Sequence, residues 1–207
     1  MIKLFLSLFL IATLSSAEEM GTKKGSCILS QDGSVSVSWM AYKTPAKAGV
    51  GGMFDSVKYK AIAPEGNNFR EILVGSSVVI DTSSVNSNHK SRDATLVKFF
   101  FKQMNDSKIK AKIVDIKSDK RMRGKPKTGV MSVDVTMNGV TKKVPMSYVF
   151  DNGDLSASGH IDILDFSASK ALSSINKACY DLHDGKTWSD VAIGFSTKIK
   201  FALCNTN

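Results

Sequence analysis

Thr128-Gly-Val-Met-Ser-Val-Asp-Val-Thr-Met-Asn-Gly-Val-Thr-Lys-Lys-Val-Pro-Met-Ser-Tyr-Val-Phe150 is the stretch from which the fold is read. Met131, Val133, Val135 and Met137 alternate with Ser132, Asp134 and Thr136, the period-2 pattern of a strand with one dry face and one wet face. Asn138-Gly139 tolerates positive φ at both central positions of a type I′ turn, so the chain reverses there with the twist a hairpin needs. This turn places Met137 opposite Val140, Val133 opposite Val144 and Met131 opposite Met146, on a face that Tyr148 and Phe150 extend. Asp134 then faces Lys143 on the other side. A slip of one residue would break the charge pair and expose the apolar face together, so the register is specified twice.

The same alternation recurs on both sides of the hairpin. Asp151-Asn152-Gly153-Asp154 is a second tight turn, after which Leu155, Ala157, Gly159, Ile161 and Ile163 alternate with polar residues. Upstream, Ile109, Ala111 and Ile113 alternate with Lys108, Lys110 and Lys112, a strand with a basic outer face. Earlier strands are expected over residues 34–42, with Val35, Val37, Trp39 and Ala41 on one face, over 54–61 and over 71–81; residues 45–52 and 63–68 read as loops. Val191, Ile193, Phe195, Ile199, Phe201 and Leu203 mark the last strand. Helical spacing appears twice: Leu96, Phe99, Phe100 and Met104 after Asp93, which can cap the first turn, and Ala168, Leu172, Ile175 and Cys179. The expectation is all-β: eight antiparallel strands in up-and-down order with two short helices. Closing the first strand on the eighth hides the edges, so a barrel is preferred to the two-sheet sandwich that the pattern also allows.

Residues 1–17 carry a lysine, an apolar run and Ser15-Ser16-Ala17, the three parts of a cleavable signal peptide, which leaves 18–207 as one domain. The run is shorter than the roughly 20 apolar residues of a spanning helix. An exported, soluble, basic periplasmic protein is expected, with formal net charge +9. Its three cysteines, Cys27, Cys179 and Cys204, allow one bridge and a leftover. Cys27 with Cys204 is the expected pair if the first and last strands are neighbours; Cys179 with Cys204 is the rival.

Catalytic motifs are decoys. Ser167-Ala-Ser-Lys170 and Lys127-Thr128-Gly129 match elements of penicillin-recognising enzymes, but in reversed order and without the Ser-Asp-Asn element. His89, His160 and His183 lack ligand spacing, and no Cys-x-x-Cys pair exists, so no metal site is expected. No enzyme activity and no resident cofactor are expected. Lys120, Arg121, Arg123, Lys125 and Lys127 form a basic segment without the aromatic platform that single-stranded nucleic acid requires; it reads as a solvated loop or as a contact for anionic lipid headgroups.

Three stretches together resemble one family. Ser76-Ser-Val-Val-Ile-Asp-Thr-Ser-Ser-Val85 running into Arg92-Asp-Ala-Thr-Leu96 is similar to its third strand and Arg-Asp-x-x-Leu helix start. Gly139-Val-Thr-Lys142 is similar to its hairpin, and Gly51-Gly-Met-Phe-Asp55 to its Gly-x-Phe segment. The family is the YceI-like group of exported, lipocalin-like barrels that carry polyisoprenoids or related amphiphiles. The resemblance implies a periplasmic carrier for an isoprenoid, an isoprenoid quinone or a fatty-acid derivative, used in storage or transport; the alternative is a structural or partner-binding barrel without lipid. It also implies that Trp39, Phe54, Phe99, Phe100, Met104, Met131, Met137, Tyr148, Phe166, Leu172 and Ile175 line an apolar cavity, with Arg92 and Asp93 at the headgroup. A long-chain lipid or isoprenoid is the expected partner and nucleic acid is not; transient contact with an anionic membrane and homodimer formation are left open. Thr95 stands where the family usually has His, Phe99-Phe-Phe-Lys102 replaces Phe-Phe-Asp, and residues 168–188 form a longer insert than usual. These departures point to a ligand that differs from a relative's.

Overall fold

The computed structural model describes residues 27–202; the expected signal peptide, residues 1–17, and Cys204 lie outside the described residues. The opening hairpin has the register read from sequence. β7 (Lys127–Met137) and β8 (Val140–Asp151) pair Met137 with Val140, Val133 with Val144 and Met131 with Met146. Asn138 and Gly139 both adopt positive φ, 52° and 78°, and Lys143 reaches Asp134 at 3.0 Å. Asn138 also ties the turn to the body: its Oδ1 accepts the Asn105 N–H at 2.7 Å, and its Nδ2 donates to the carbonyls of Phe166 and Ser167, each at 3.0 Å.

The hairpin belongs to a single curled antiparallel sheet of ten strands rather than eight. The others are β1 (Leu29–Lys43), β2 (Ala48–Phe54), β3 (Val57–Lys60), β4 (Ser77–Asp81), β5 (Val85–Asn86), β6 (Lys108–Ser118), β9 (Asp154–Asp162) and β10 (Thr187–Phe201). Their order is β3-β4-β6-β7-β8-β9-β10-β1-β2-β5. The first and last long strands are neighbours, with Trp39 opposite Ile193 and Leu29 opposite Phe201. A simple up-and-down lipocalin order does not account for the other edge. There β2 pairs with β1, β3 pairs with β4, and only Asp55 and Ser56 separate β2 from β3, so one short chain step bridges the two ends of the sheet.

Two segments depart from the sequence reading for identifiable reasons. The stretch 45–52, expected as a loop, supplies most of β2, where the glycines permit close approach. A Cβ on Gly52 would lie 2.5 Å from the Asn86 carbonyl oxygen and 2.7 Å from Trp39 Cζ2, so glycine lets β5 and the indole pack against this strand. The stretch 71–81, expected as a strand throughout, begins as α1 (Phe69–Leu73) and becomes β4 only at Ser77. Asn68 and Glu71 cap α1 reciprocally: Asn68 Oδ1 accepts the Glu71 N–H at 3.1 Å, and Glu71 Oε2 accepts the Asn67 N–H at 2.8 Å. The two expected helices are α2 (Lys90–Phe99) and α3 (Ser169–Ala178), so the described residues hold three α-helices. His89, not Asp93, is the N-cap of α2.

Helices at the two ends divide the interior. α1 plugs one end: Ile72 and Leu73 are fully buried, and Phe69 packs edge-on against Tyr148 and Phe150 with centroids 6.0 and 5.0 Å apart. Each such side chain contributes about 1.5–3 kcal/mol of burial, so this half is solid core. At the other end α2 and α3 lie over the sheet, with Phe100, Phe101, Ala171 and Ile175 packed against Phe54, Ile80 and Val191. There the interior is hollow.

Candidate functional site

The hollow half contains a cavity of about 360 Å³, and a deeper chamber of about 110 Å³ adjoins it. Trp39, Phe54, Ile109, Met137, Ile161 and Ile193 line both and form the partition. The strands supply these residues because their inward positions alternate, as the period-2 pattern demands. Carbon dominates the walls, and no Asp or Glu lines the larger cavity.

Of the residues expected to line a cavity, Trp39, Phe54, Phe100, Met137, Leu172 and Ile175 line the larger one, and Met131 lines the deeper chamber. Four do not. Tyr148 and Phe166 are each 1% exposed and belong to packed core; the Tyr148 hydroxyl is bonded to Ser118 Oγ at 2.7 Å near the plugged end. Met104 packs between the two halves of the core, and Phe99 packs on the outer cluster with the Lys98 amine 4.8 Å from its ring centre. The apolar stripe runs the length of the barrel, whereas the apolar cavity and its deeper chamber lie toward the helix-covered half.

The mouth is basic. Arg92, on the first turn of α2, donates from Nε to Ser87 Oγ and from Nη2 to the Ser87 carbonyl, each at 2.8 Å, and its Nη1 makes no hydrogen bond among the described residues. Asp93 does not line the cavity. It holds buried Ser87 through that residue's N–H, at 2.9 Å, and its hydroxyl. The pair expected at a headgroup therefore divides into one group at the cavity and one group that positions it. Lys43, His89 and His183 stand at the same rim. Burial, and then the Lys43 charge, hold the His183 imidazole below its usual pKa; burial raises the Cys179 thiol, with Lys43 acting in the opposite sense. Trp188 closes the rim, its indole N–H donating to the Thr44 carbonyl at 2.8 Å and its ring flanked by the amines of Lys47 and Lys186 at 5.1 and 4.6 Å.

Sequence reasoning missed Lys43, His183 and Trp188 because each looks like an ordinary surface residue in a linear reading. For His183 and Trp188 the signal is the insert 168–188, which provides Leu172, Ile175, Cys179, Leu182 and His183 to the cavity and so forms much of its roof; Lys43, at the end of β1, has none. Thr95, where the family usually has His, also lines the cavity. Two polar atoms on wall residues of the deeper chamber, Trp39 Nε1 and Tyr59 Oη, are buried without a hydrogen-bond partner among the described residues. Such atoms destabilise a fold by about 1–3 kcal/mol each and are most often kept at functional sites.

The residues of the catalytic decoys are far apart. Ser167 and Lys170 lie at the helix-covered end, whereas Lys127-Thr128-Gly129 begins β7 at the plugged end, a strand length of about 30 Å away. Among the described residues no group of three or more His, Cys, Asp or Glu side chains could hold a metal ion.

A curled antiparallel sheet, plugged at one end and hollow and apolar at the other, defines a barrel-like fold suited to binding an apolar molecule. The chain belongs to the YceI-like family: the YceI-like domain matches residues 30–203. Similar solved structures include a polyisoprenoid binding domain from Saccharophagus degradans implicated in plant cell wall breakdown, 13% identical, TM-score 0.54, with 84% of this chain and 98% of that one covered. A mutant of the Campylobacter jejuni YceI protein is 18% identical with TM-score 0.53, covering 75% of this chain and 86% of that one. At these identities the likeness is one of fold. No curated protein matches the sequence significantly.

Proposed function

We propose that this protein is a periplasmic carrier that holds a long-chain apolar or amphiphilic molecule, such as an isoprenoid, an isoprenoid quinone or a fatty-acid derivative, inside the barrel for storage or transport. The observation that carries this reading is the cavity itself. Its volume of about 360 Å³ falls within the roughly 300–1,000 Å³ of small-molecule sites, and its walls are apolar apart from a rim of basic groups. Burial of the chain supplies affinity at about 0.8 kcal/mol per methylene. Met137, in the partition, is the flexible side chain best able to move aside for a chain reaching the deeper chamber. Arg92, preset by Ser87 and Asp93, and Lys43 receive the polar end at the mouth. Membership of the YceI-like family supports the same reading, as does the polyisoprenoid binding named for the Saccharophagus degradans domain.

Photolabelling tests it. A long-chain fatty acid bearing a diazirine near its methyl end should label peptides containing Trp39, Met137 or Ile193. Labelling confined to exposed outward residues such as Met40 and Met53 would instead favour a structural or partner-binding barrel that carries no lipid.

A further inference from the structure

The plugged end of the barrel, remote from the cavity, carries a surface that ligand carriage leaves unused. The connection between β6 and β7, residues 119–126, presents Lys120, Arg121, Arg123 and Lys125, all exposed, and Lys127 follows. None of these five cations joins an ion pair among the described residues, although six other cations do. Neighbouring acids are largely engaged elsewhere. Asp119 accepts the Thr128 hydroxyl at 2.7 Å, and Asp154 and Asp32 pair with Lys198 and Lys200; Asp151 and Glu65 join no ion pair among the described residues. Lys127 anchors the loop base, its amine 5.3–5.9 Å from the ring centres of Phe69, Phe150 and Phe201.

Apolar side chains share this end. Met122, between two arginines near the loop tip, is 66% exposed, and Phe201, Val130 and Val149 are also exposed. Val130 is opposite Lys117 on β6, and Val149 is opposite Thr128, so both valines occupy the outward face beside the loop. A loop that only keeps the protein solvated needs cations but no apolar apex. The loop walls an open concavity with Leu29, Asn67, Phe150 and Phe201, but an acidic polypeptide lying there would have no use for an exposed apolar apex. Unpaired cations around an exposed methionine fit a bilayer interface, where anionic headgroups meet the charges and the apolar side chain enters the acyl boundary.

We propose that residues 120–125 are a docking surface for an anionic phospholipid bilayer. β6 spans eleven residues, about 35 Å, from this loop to the helix-covered end, so the docked protein turns its cavity mouth toward water.

Flotation of the purified protein with phosphatidylcholine vesicles, with and without phosphatidylglycerol, tests this. Binding should require phosphatidylglycerol and fall with added salt. Each cation removed should weaken partitioning about five-fold, so the combined variant Lys120→Ser, Arg121→Ser, Arg123→Ser, Lys125→Ser should lose several hundred-fold. Met122→Ser alone should weaken binding that persists at higher salt. A control with the same net charge, Lys58→Ser, Lys60→Ser, Lys110→Ser, Lys112→Ser on the outward faces of β3 and β6, should bind within a few-fold of the wild type. Unaltered thermal melts verify folding of each variant. The proposal is overturned if the control loses as much as the loop variant, if wild type does not float, or if it binds polyglutamate in preference to the vesicles.

Discussion

Ile193→Trp asks directly whether a chain threads from the mouth into the deeper chamber. Ile193 stands in the partition, opposite Trp39 on β1 and Gly159 on β9. The larger ring projects into existing space, so the fold should lose less than the 1–3 kcal/mol typical of overpacking a filled core. A ligand chain that passes the partition is stopped there. If four methylenes are denied burial at about 0.8 kcal/mol each, the loss is about 3 kcal/mol, or roughly 200-fold in Kd. A chain short enough to remain in the larger cavity loses little. The assay is displacement of an apolar fluorescent probe by a homologous series of fatty acids, with melting curves run alongside. Wild-type affinity should climb steadily with chain length, whereas the variant's should level off. Equal affinities for the longest chains in both proteins would refute the threading argument.

Arg92→Gln should weaken carboxylate-bearing amphiphiles by about ten-fold or more, the value of one charge-assisted hydrogen bond, and leave the corresponding alcohols unchanged, as the same displacement assay reads. Tyr59→Phe removes a buried hydroxyl without a partner among the described residues and should raise Tm, by an amount equivalent to about 1 kcal/mol, in delipidated protein; a fall would show that the hydroxyl is satisfied. His183 is held neutral by burial and by Lys43, so its folded pKa lies below that of the unfolded chain. Stability should therefore decline as pH falls through about 6.5, and His183→Gln should remove that part of the decline in melts recorded across this range. Hydrogen bonds from Lys108 and Ser83 depress the Asp81 carboxyl, so its contribution is present above about pH 4 and lost below it, a loss that Asp81→Asn abolishes. Cys27 and Cys204 should form the bridge. Leu29 faces Phe201, and the Ala202 N–H donates to the Ile28 carbonyl at 2.8 Å, whereas Cys179 is a free buried thiol beside the opposite end of β10. Closing a loop of about 180 residues stabilises by at most about 4–5 kcal/mol, and a cross-linked peptide containing Cys179 in non-reducing mapping would contradict the pairing.

The hairpin around Asn138-Gly139 was legible to the level of register because turn chemistry, face alternation and a charge pair agreed. β2 was not, because Gly49, Gly51 and Gly52 read locally as a loop, and the need for glycine there comes from Trp39 and β5, which are distant in sequence or not yet formed. For α1 the signal was present in Asn68-Phe-Arg-Glu71, a capping pair masked by the β-branched run that follows. The cavity was legible as an apolar stripe but not in its extent. Tyr148 and Phe166 have the same inward position and chemistry as Phe54 and Phe100; whether such a position meets space or packing depends on which end α1 plugs and which end α2 and α3 cover. Of the basic rim only Arg92 was expected; Lys43 and His183 were hidden, since the three come from separate elements.

Native mass spectrometry of the mature protein, purified from its own cells without detergent, tests the carrier reading most directly. The expected spectrum contains a second species, heavier than the polypeptide by the mass of one long-chain lipid, which organic extraction releases and which Ile193→Trp depletes. A spectrum of the polypeptide alone, from protein that also fails to take up any member of the fatty-acid or isoprenoid series, would contradict it.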